Sequence, residues 1–200
     1  MNVVAKLKKE LIEAGRRAYQ RGIQTGNGGN ISARIPGTEL MIVKASGVSF
    51  IDCTEENLLI CDFAGDLVEG NLKPTREALL HGALYAKLPH VGAVVHTHSV
   101  WSILWSMSGS SAIPLVTQHA HLKIGTPIPI LSFATPVVPK EHMPEVLSLF
   151  DQHPNLPAFV LKEHGVVAVG PNALEAEHNA EFVEETAQIG WLHQLAAGRC

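Results

Sequence analysis

The chain of 200 residues has few of the features that mark secreted or membrane proteins. Its three cysteines are Cys53, Cys61 and Cys200, and none of them forms a C-x-x-C pair. A sparse, odd set of this kind favours small buried side chains or a free thiol in a reducing compartment. The apolar runs are too short to cross a bilayer, and the N-terminal segment lacks the apolar core of a signal peptide. We therefore expect a cytoplasmic protein that does not bind membranes.

Charged and aromatic residues are also scarce, at 17% and 6% of the chain. The formal net charge is −4, and no basic run interleaved with aromatic residues occurs, so nucleic acid is not an expected partner. Hydrophobic residues make up 46% of the chain, which is typical of a folded globular protein. The length fits one domain over residues 1–200.

Histidine is the residue that the sequence has in excess, with 11 copies. The imidazole group binds metals and exchanges protons near neutral pH, so this number favours a metal site or acid–base chemistry. Surface and helix-capping positions account for most histidines in proteins. Composition alone therefore does not single out the functional ones.

The spacing of apolar residues and of turn residues predicts an α/β fold. The predicted helices cover residues 3–21, 73–89, 100–109, 141–154 and 172–197. The predicted strands cover residues 31–35, 39–46, 58–63, 67–70 and 91–99, with a strand pair over 157–170. Residues 113–125 and 128–134 have the pattern of strands or strand-loop pieces. Helices on both sides of a mostly antiparallel central sheet give a single three-layer α/β/α domain.

Two histidines end the apolar strand of the segment VVHTHS. Residues i and i+2 of a strand point to the same side, so His96 and His98 are expected to lie side by side. Two such imidazoles can bind one metal ion, but buried imidazoles that only hydrogen-bond to the backbone are more common. His164 in KEHGVVAVG follows another apolar run and would supply a third ligand. Three histidines leave one position of a tetrahedral site open, as in catalytic zinc centres.

Glu77 lies in the predicted first turn of the helix that contains PTREALLH. A carboxylate there is stabilised by the helix dipole, and this is one explanation for its presence. The alternative is a general base beside the metal, or a fourth ligand that substrate displaces. His81 lies four residues later on the same helical face, where it would orient Glu77 or simply pack.

The segment TGNGGNIS contains a glycine-rich loop whose backbone N–H groups can bind an anion. It matches neither G-x-G-x-x-G nor the Walker A pattern, so nucleotide binding is not indicated. Two further segments, SGV and PTR, offer hydroxyl, backbone and guanidinium groups for phosphate or carboxylate. A simple turn is the alternative for the loop. The candidate anion-binding residues are Asn27, Gly28, Gly29, Asn30, Ser46, Gly47, Thr75 and Arg76.

Five motifs in order, GNGGNIS, KASGVSF, EGNLKPTREALLH, VVHTHS and EHGVVAVG, resemble the class II aldolase/adducin family. The resemblance covers most of the chain, from the first predicted helix to the last. It implies a metal triad of His96, His98 and His164, a catalytic carboxylate at Glu77 and the anion pocket named above. It also implies zinc, with manganese or another divalent ion as alternatives. A homotetramer with active sites between subunits is implied as well.

Four positions depart from the family pattern. Arg76 replaces the second serine of its P-S-S-E motif, and Asn27 stands where threonine or serine is usual. Arg76 would compensate for these losses in binding phosphate, or the substrate would be a carboxylate. His121 stands where the epimerase members have a catalytic aspartate, and His119 where an aldolase often has tyrosine. We therefore include His119 and His121 among the candidate catalytic residues.

Together these features predict a metal-dependent carbon–carbon lyase of the aldehyde-lyase type. Retro-aldol cleavage of a small ketose phosphate through an enediolate is the first expectation, because position 77 carries glutamate. Decarboxylation or dehydration of a related sugar acid or ketose phosphate is the alternative that Arg76, His119 and His121 favour. A 4-epimerase is a further alternative. A non-catalytic, adducin-like assembly module is disfavoured because such a protein would be expected to lose the metal ligands.

Overall fold

The structure is a computed structural model that describes residues 2–198. The α-helices of this range are α1 (Val3–Gln20), α2 (Ala78–Lys87), α3 (Val100–Ser106), α4 (Gln118–Lys123), α5 (Met143–Gln152) and α6 (Ala173–Ala196). The strands are β1 (Asn30–Arg34), β2 (Leu40–Lys44), β3 (Leu58–Asp62), β4 (Leu67–Glu69), β5 (Ala93–Thr97), β6 (Ala112–Ile113), β7 (Ile128–Leu131), β8 (Ala158–Leu161) and β9 (Gly165–Gly170). Short 3₁₀ turns cover Glu55–Asn57 and Lys140–His142.

The strands form one nine-stranded sheet in the order β4-β3-β2-β1-β5-β9-β8-β7-β6. Neighbouring strands are antiparallel except β7 and β8, which run parallel. The predicted mostly antiparallel sheet is thus confirmed, with one parallel pair that makes it mixed. The hairpin β8–β9 is the strand pair predicted over residues 157–170.

Alternation along the strands divides the core into two layers. On β5, Val95 packs in the cluster that contains residues of α1, α3, α4 and α6. Its neighbour Val94 packs on the other side, against residues of α2 and α5. Both clusters consist of buried side chains, so helices cover the central sheet on its two faces. The predicted three-layer α/β/α arrangement is confirmed.

Helix α6 packs its small residues against the sheet. Ala173, Ala176, Ala180 and Ala187 are buried at spacings of three, four and seven residues, as one face of a helix requires. The same face carries the buried carboxylate of Glu184. This carboxylate accepts hydrogen bonds from the backbone N–H groups of Trp101 (2.8 Å) and Ser102 (2.9 Å) at the start of α3. This contact fixes the helix that directly follows the histidine pair.

The prediction for residues 113–125 is only partly correct. The segment QHAHLK forms the short helix α4, not a strand. The Thr117 side chain accepts a hydrogen bond from Ala120 N–H at 3.0 Å and caps the helix, a local signal that outweighs the apolar run before it. Within this region Ile113 pairs as a strand, together with the preceding Ala112, and its partner is β7.

Two of the predicted buried thiols are confirmed, since Cys53 and Cys61 are free and buried. Cys200 lies outside the described residues. Among the described helices, none combines the length and apolar character that a membrane span requires.

A buried acidic residue gives the fold a pH dependence of its own. Glu177 on α6 is fully buried and contacts the Arg17 guanidinium at 3.2 Å. Burial, and secondly a hydrogen bond with Glu181, raise the pKa of Glu177 to about 8. The folded state therefore holds a proton that the unfolded state releases near the ordinary pKa of about 4.3. This stabilisation is complete below that ordinary value and is lost as pH rises through about 8.

We expect Glu177→Gln to flatten this dependence, because glutamine mimics the protonated acid. The variant should match the wild type near pH 5. It should be more stable near pH 9, by on the order of 4 kcal/mol. Urea unfolding of both proteins at the two pH values measures the difference. Equal pH dependence in both proteins would show that Glu177 is ionised in the folded state throughout.

Candidate metal centre and active site

The strand pairing brings the three predicted histidines together. His96 lies on β5 and pairs with Val167 of β9, while His98 follows the end of β5. His164 immediately precedes β9, in the turn after β8. The centroids of the three rings are 4.6 to 5.0 Å apart. The side chains therefore converge at one end of the central strands β5 and β9, although His96 and His164 are nearly seventy residues apart in the chain.

Hydrogen bonding orients the most deeply buried of these rings. His96 Nδ1–H donates to Val166 O at 2.8 Å, which leaves Nε2 with its lone pair free. Burial lowers the pKa of His96, His98 and His164 to about 4 each. All three imidazoles are consequently neutral at pH 7, which is the form that binds metal ions.

Metal binding would satisfy groups that otherwise have no partner. His96 Nε2, His164 Nδ1 and Glu77 Oε1 are buried without a hydrogen-bond partner among the described residues. One potential ligand atom from each of the three histidines lies within 4.8 Å of the other two. Buried polar atoms of this kind are rare in folded proteins unless something binds them. The residues present therefore fit a divalent ion held by His96, His98 and His164.

Glu77 lies directly beside the three histidines. Its carboxylate is 3.5 Å from His96 Nε2 and 3.9 Å from His164 Nδ1, and it accepts a hydrogen bond from Asn30 Nδ2 at 2.5 Å. Burial raises the pKa of the Glu77 carboxyl, although Asn30 and the nearby histidines oppose the shift. A carboxyl with a raised pKa is suited to accept and return a proton near neutral pH.

The position of Glu77 in the helix differs from the prediction. It precedes α2 as the N-cap residue, and its side chain forms no capping hydrogen bond. The carboxylate instead points to the histidines. Complementing the helix dipole does not by itself account for this orientation, and the general-base role stays a prediction.

The glycine-rich loop lies against the histidine pair. A Cβ atom on Gly28 would come within 2.6 Å of His98 Nδ1. Gly29 has a positive φ of 64°, and a Cβ atom there would collide with the side chain of Gln24. Gln24 is buried, and its Oε1 accepts a hydrogen bond from His98 N–H at 2.8 Å. The glycines thus allow backbone to approach the imidazoles, and Gln24 is a site residue that sequence reasoning missed.

A cavity of about 560 Å³ opens above these groups. It is lined by the glycine-rich loop, the end of β2 and the segment after it, the N-terminal end of α2, and the loop after β7. Most predicted residues lie in its wall, whereas His96 is completely buried beside it. The predicted residues that line it are Asn27, Gly28, Gly29, Asn30, Ser46, Gly47, Thr75, Arg76, Glu77, His98 and His164.

Lys44 is a second site residue that the sequence reasoning did not find. It is the last residue of β2, only 1% exposed, and it lines the cavity. Its Nζ donates to Ala45 O at 3.1 Å and to Val48 O at 2.5 Å. Burial lowers the pKa of Lys44 to about 8. The side chain therefore adds a buried cation to the anion pocket, with a proton that is held less tightly than usual.

His119 and His121 are not brought to this cavity. Both are exposed on α4, and the His119 ring packs edge-on against Phe182 of α6, with centroids 5.2 Å apart. Neither lines the cavity formed by the described residues of a single chain. Their catalytic role stays a prediction.

The turn that presents His164 is strained and held by a distant side chain. Glu163 has a φ of 58°, a left-handed conformation that residues other than glycine rarely adopt. Its backbone N–H donates to Ser106 Oγ at 2.9 Å, at the end of α3. Gly165 follows, where a Cβ atom would collide with Thr97 O. This close approach explains why glycine follows the histidine.

Comparison with known proteins agrees with the resemblance. Residues 9–191 match the family model of the class II aldolase and adducin N-terminal domain. The chain belongs to this family. L-ribulose-5-phosphate 4-epimerase UlaF from Salmonella paratyphi B is 31% identical over 193 residues, covering 94% of this chain and 85% of UlaF.

Solved structures of family members have the same fold. L-fuculose-1-phosphate aldolase from Thermus thermophilus is 25% identical, with a TM-score of 0.84 and 98% of each chain covered. YgbL from Escherichia coli is 29% identical, with a TM-score of 0.83, covering 96% of this chain and 91% of YgbL. The activity of YgbL is given only as the alternatives aldolase, epimerase or decarboxylase. The relatives named here thus include enzymes of two different reaction types on sugar phosphates.

Proposed function

We propose that this protein is a metal-dependent lyase that cleaves a carbon–carbon bond of a small phosphorylated ketose. The observation that carries the proposal is the buried carboxylate of Glu77, 3.5 Å from His96 Nε2 in the three-histidine cluster. The cluster would hold the ion, and Glu77 is placed to move a proton beside it. A non-catalytic assembly module would not require either feature, so we regard that alternative as disfavoured.

The other end of the cavity is suited to an anion. Backbone N–H groups of the glycine-rich loop, the hydroxyl groups of Ser46 and Thr75, and the cations of Lys44 and Arg76 all belong to its lining. Glu77 is the only carboxylate among the described residues that line it. A phosphate group satisfies several such donors at once, and the guanidinium of Arg76 can bind it in a bidentate manner. We propose a phosphorylated substrate, with a carboxylated one as the alternative.

Glu77 would carry out both proton transfers of the proposed cleavage. Zn²⁺, or Mn²⁺ in its place, would supply a Lewis acid that polarises adjacent carbonyl and hydroxyl oxygens of the substrate. Glu77 takes the proton of the hydroxyl group on the carbon beyond the bond to be broken. That carbon leaves as an aldehyde, and the electron pair of the broken bond stays with the remaining fragment as an enediolate. Glu77 then returns the proton to the enediolate carbon, which yields the ketone.

Two related reactions share this enediolate. Decarboxylation would release CO₂ in place of the aldehyde, and the exposed guanidinium of Arg76 in the cavity wall is the observation that favours it. Epimerisation would rejoin the aldehyde after rotation, and the similarity to UlaF favours it. Rejoining needs a second acid or base on the far side of the aldehyde. The described cavity lining of a single chain offers no second carboxylate, and in the assembly proposed below the imidazoles of His119 and His121 would have to take this role, so cleavage is our first choice.

We also propose that the chain forms a homotetramer in the cytoplasm, with active sites at subunit interfaces. Exposed apolar side chains on α3 and α4, among them Val100 and Leu122, support an assembly. In such an assembly His119 and His121 would reach the cavity of a neighbouring subunit rather than their own.

Proton exchange in D₂O tests whether the site forms the enediolate that all these reactions share. Dihydroxyacetone phosphate is the simplest phosphorylated ketone with a hydroxyl group next to its carbonyl. The Zn²⁺-loaded protein is expected to replace one proton of its hydroxymethyl carbon with deuterium, observed by ¹H NMR. Products from a panel of ketose phosphates and 3-oxo acid phosphates then separate aldehyde release from CO₂ release. If no exchange occurs with either Zn²⁺ or Mn²⁺, the proposed function is wrong.

A further inference from the structure

A buried line of polar groups connects β1 with α2 beneath the candidate active site. Strand residues at alternate positions point to the same side, and helix residues four apart do so as well. Two strand residues advance about 6.6 Å and four helix residues about 6 Å, so the two series stay aligned. The strand contributes Asn30, Ser32 and Arg34, and the helix and its N-cap contribute Glu77, His81 and Tyr85.

The contacts follow this alignment step by step. Asn30 donates to Glu77 at 2.5 Å. Ser32 Oγ lies 2.7 Å from His81 Nδ1 and 2.7 Å from Tyr85 Oη. Ser32 and His81 have no exposed surface, and Tyr85 is only 1% exposed. The Arg34 guanidinium donates to the carbonyl oxygens of Tyr85 and Leu88 at the end of α2. Each turn of α2 is therefore attached to β1 by a polar contact.

Ser32 is the centre of this network, because its Oγ lies within hydrogen-bond distance of both His81 Nδ1 and Tyr85 Oη. Burial lowers the pKa of His81 to about 3, so the ring is neutral. Ser32 is the partner of Nδ1, which leaves the other ring nitrogen, Nε2. That nitrogen is buried without a partner among the described residues.

Such a network is an unfavourable way merely to fill space. The surrounding layer between the sheet and α2 is apolar and contains Leu80, Leu84 and Val94. A buried polar atom without a partner destabilises a fold, and apolar side chains of similar size would avoid that penalty. Buried polar networks do, however, fix one relative position of two elements, whereas apolar packing allows them to shift.

We propose that Ser32, His81 and Tyr85 are positioning residues that fix the position of α2 along β1. They thereby hold the Glu77 carboxylate beside the three histidines. Glu77 is the N-cap residue of α2, and His81 stands one turn later on the same side. Asn30 pairs with His96 across β1 and β5, so the strand that anchors α2 also anchors the metal site. The inference deepens the proposed function, because it requires that Glu77 moves the proton.

Two variants remove the network without removing volume. His81→Leu replaces the imidazole with an apolar group, and Tyr85→Phe removes one hydroxyl group. Both are expected to lower the kcat of dihydroxyacetone phosphate exchange about tenfold and to shift its pH profile, with KM changed less than twofold. The Tm of His81→Leu should stay equal or rise, because a buried nitrogen without a partner is lost. The Tm of Tyr85→Phe should fall slightly, because that variant removes a hydrogen-bonded hydroxyl group. His81→Asn retains a group that can hydrogen-bond to Ser32 and should keep kcat within about threefold of the wild type.

Leu80→Val is the matched control on the same helix. It should lower the Tm through lost packing while leaving kcat and its pH profile unchanged. The double variant Tyr85→Phe with Ser32→Ala should be no slower than the slower of its two single variants, because both act through one chain. Unchanged kcat and pH profile in His81→Leu and Tyr85→Phe would overturn the inference. The inference would also be wrong if kcat fell in these variants and in Leu80→Val in proportion to the decrease in Tm, because such losses would reflect stability alone.

Glu77→Gln distinguishes failure of this inference from failure of the proposed function. If Glu77→Gln abolishes exchange while His81→Leu does not, the function stands and only the positioning role is wrong. If Glu77→Gln retains exchange, or if the wild type shows none, the proposed function is wrong and the inference fails with it.

Discussion

Replacing Glu77 with glutamine is expected to slow proton exchange on dihydroxyacetone phosphate by about 1,000-fold, within the range that general acid–base catalysis contributes. Glutamine has the shape of glutamate, and its carbonyl oxygen can still accept the hydrogen bond from Asn30. It cannot accept a proton from carbon or return one. The rate should therefore fall although the cavity keeps its form. Initial rates by ¹H NMR at saturating Zn²⁺ measure the effect.

Two measurements identify the cause of that loss. The metal content of Glu77→Gln should equal that of the wild type, because the three histidines are unchanged. Its Tm should not fall, because a buried carboxyl is replaced by a neutral group of the same size. A lowered metal content would mean that Glu77 acts mainly as a ligand and not as a base.

Glu163→Gln is the matched control for this variant. Glu163 directly precedes His164 in the chain, but its side chain is 62% exposed and does not line the cavity. The substitution removes one carboxylate near the metal site and should leave the exchange rate within twofold of the wild type. A large loss in both variants would indicate a general effect of negative charge near the ion, which would contradict a specific role for Glu77.

The residues that sequence reasoning identified have local signals. The pair His96 and His98 follows an unbroken apolar strand, and His164 precedes a glycine at the start of another strand. Strand alternation is a short-range rule, so it correctly indicated which side chains point together. Glycine-rich segments are equally local, and Gly28 and Gly29 do line the cavity. These features could be predicted because few residues decide them.

Residues that act through long-range packing could not be found in this way. Lys44 ends a strand and has the appearance of an ordinary edge lysine, but the fold buries it in the cavity wall. Gln24 becomes important only because His98, 74 residues later, donates its N–H to it. No periodicity or composition reveals such a contact, because it depends on the pairing of β1 with β5.

The prediction of a strand over the residues of helix α4 was wrong for a different reason. Residues 113–125 contain an apolar run that is typical of a strand, but Thr117 provides a helix cap after it. A six-residue helix has too few turns for its periodicity to be recognised. His119 and His121, which are candidates because of the family resemblance, lie exposed on this helix, and the His119 ring packs against Phe182 of α6.

Metal binding is expected to raise the Tm of the apoprotein by about 10 °C. An ion at about 1,000 times its dissociation constant adds roughly 4 kcal/mol of stability. In a chain of this size each kcal/mol corresponds to about 2–4 °C. The buried nitrogens His96 Nε2 and His164 Nδ1 destabilise the apoprotein and gain a partner when the ion binds. Thermal unfolding after chelation, with and without added Zn²⁺, measures the shift.

His96→Ala should abolish most of this shift, leaving less than about 2 °C, since two imidazoles bind an ion far more weakly than three. The shift is the informative quantity, because removing the fully buried ring also leaves a cavity that changes the Tm of the apoprotein itself. His90→Ala, which removes an exposed histidine outside the cavity, should retain the full shift. A Zn²⁺-induced shift that survives His96→Ala but not His90→Ala would place the ion elsewhere and would remove the basis for Glu77 chemistry at this edge of the sheet.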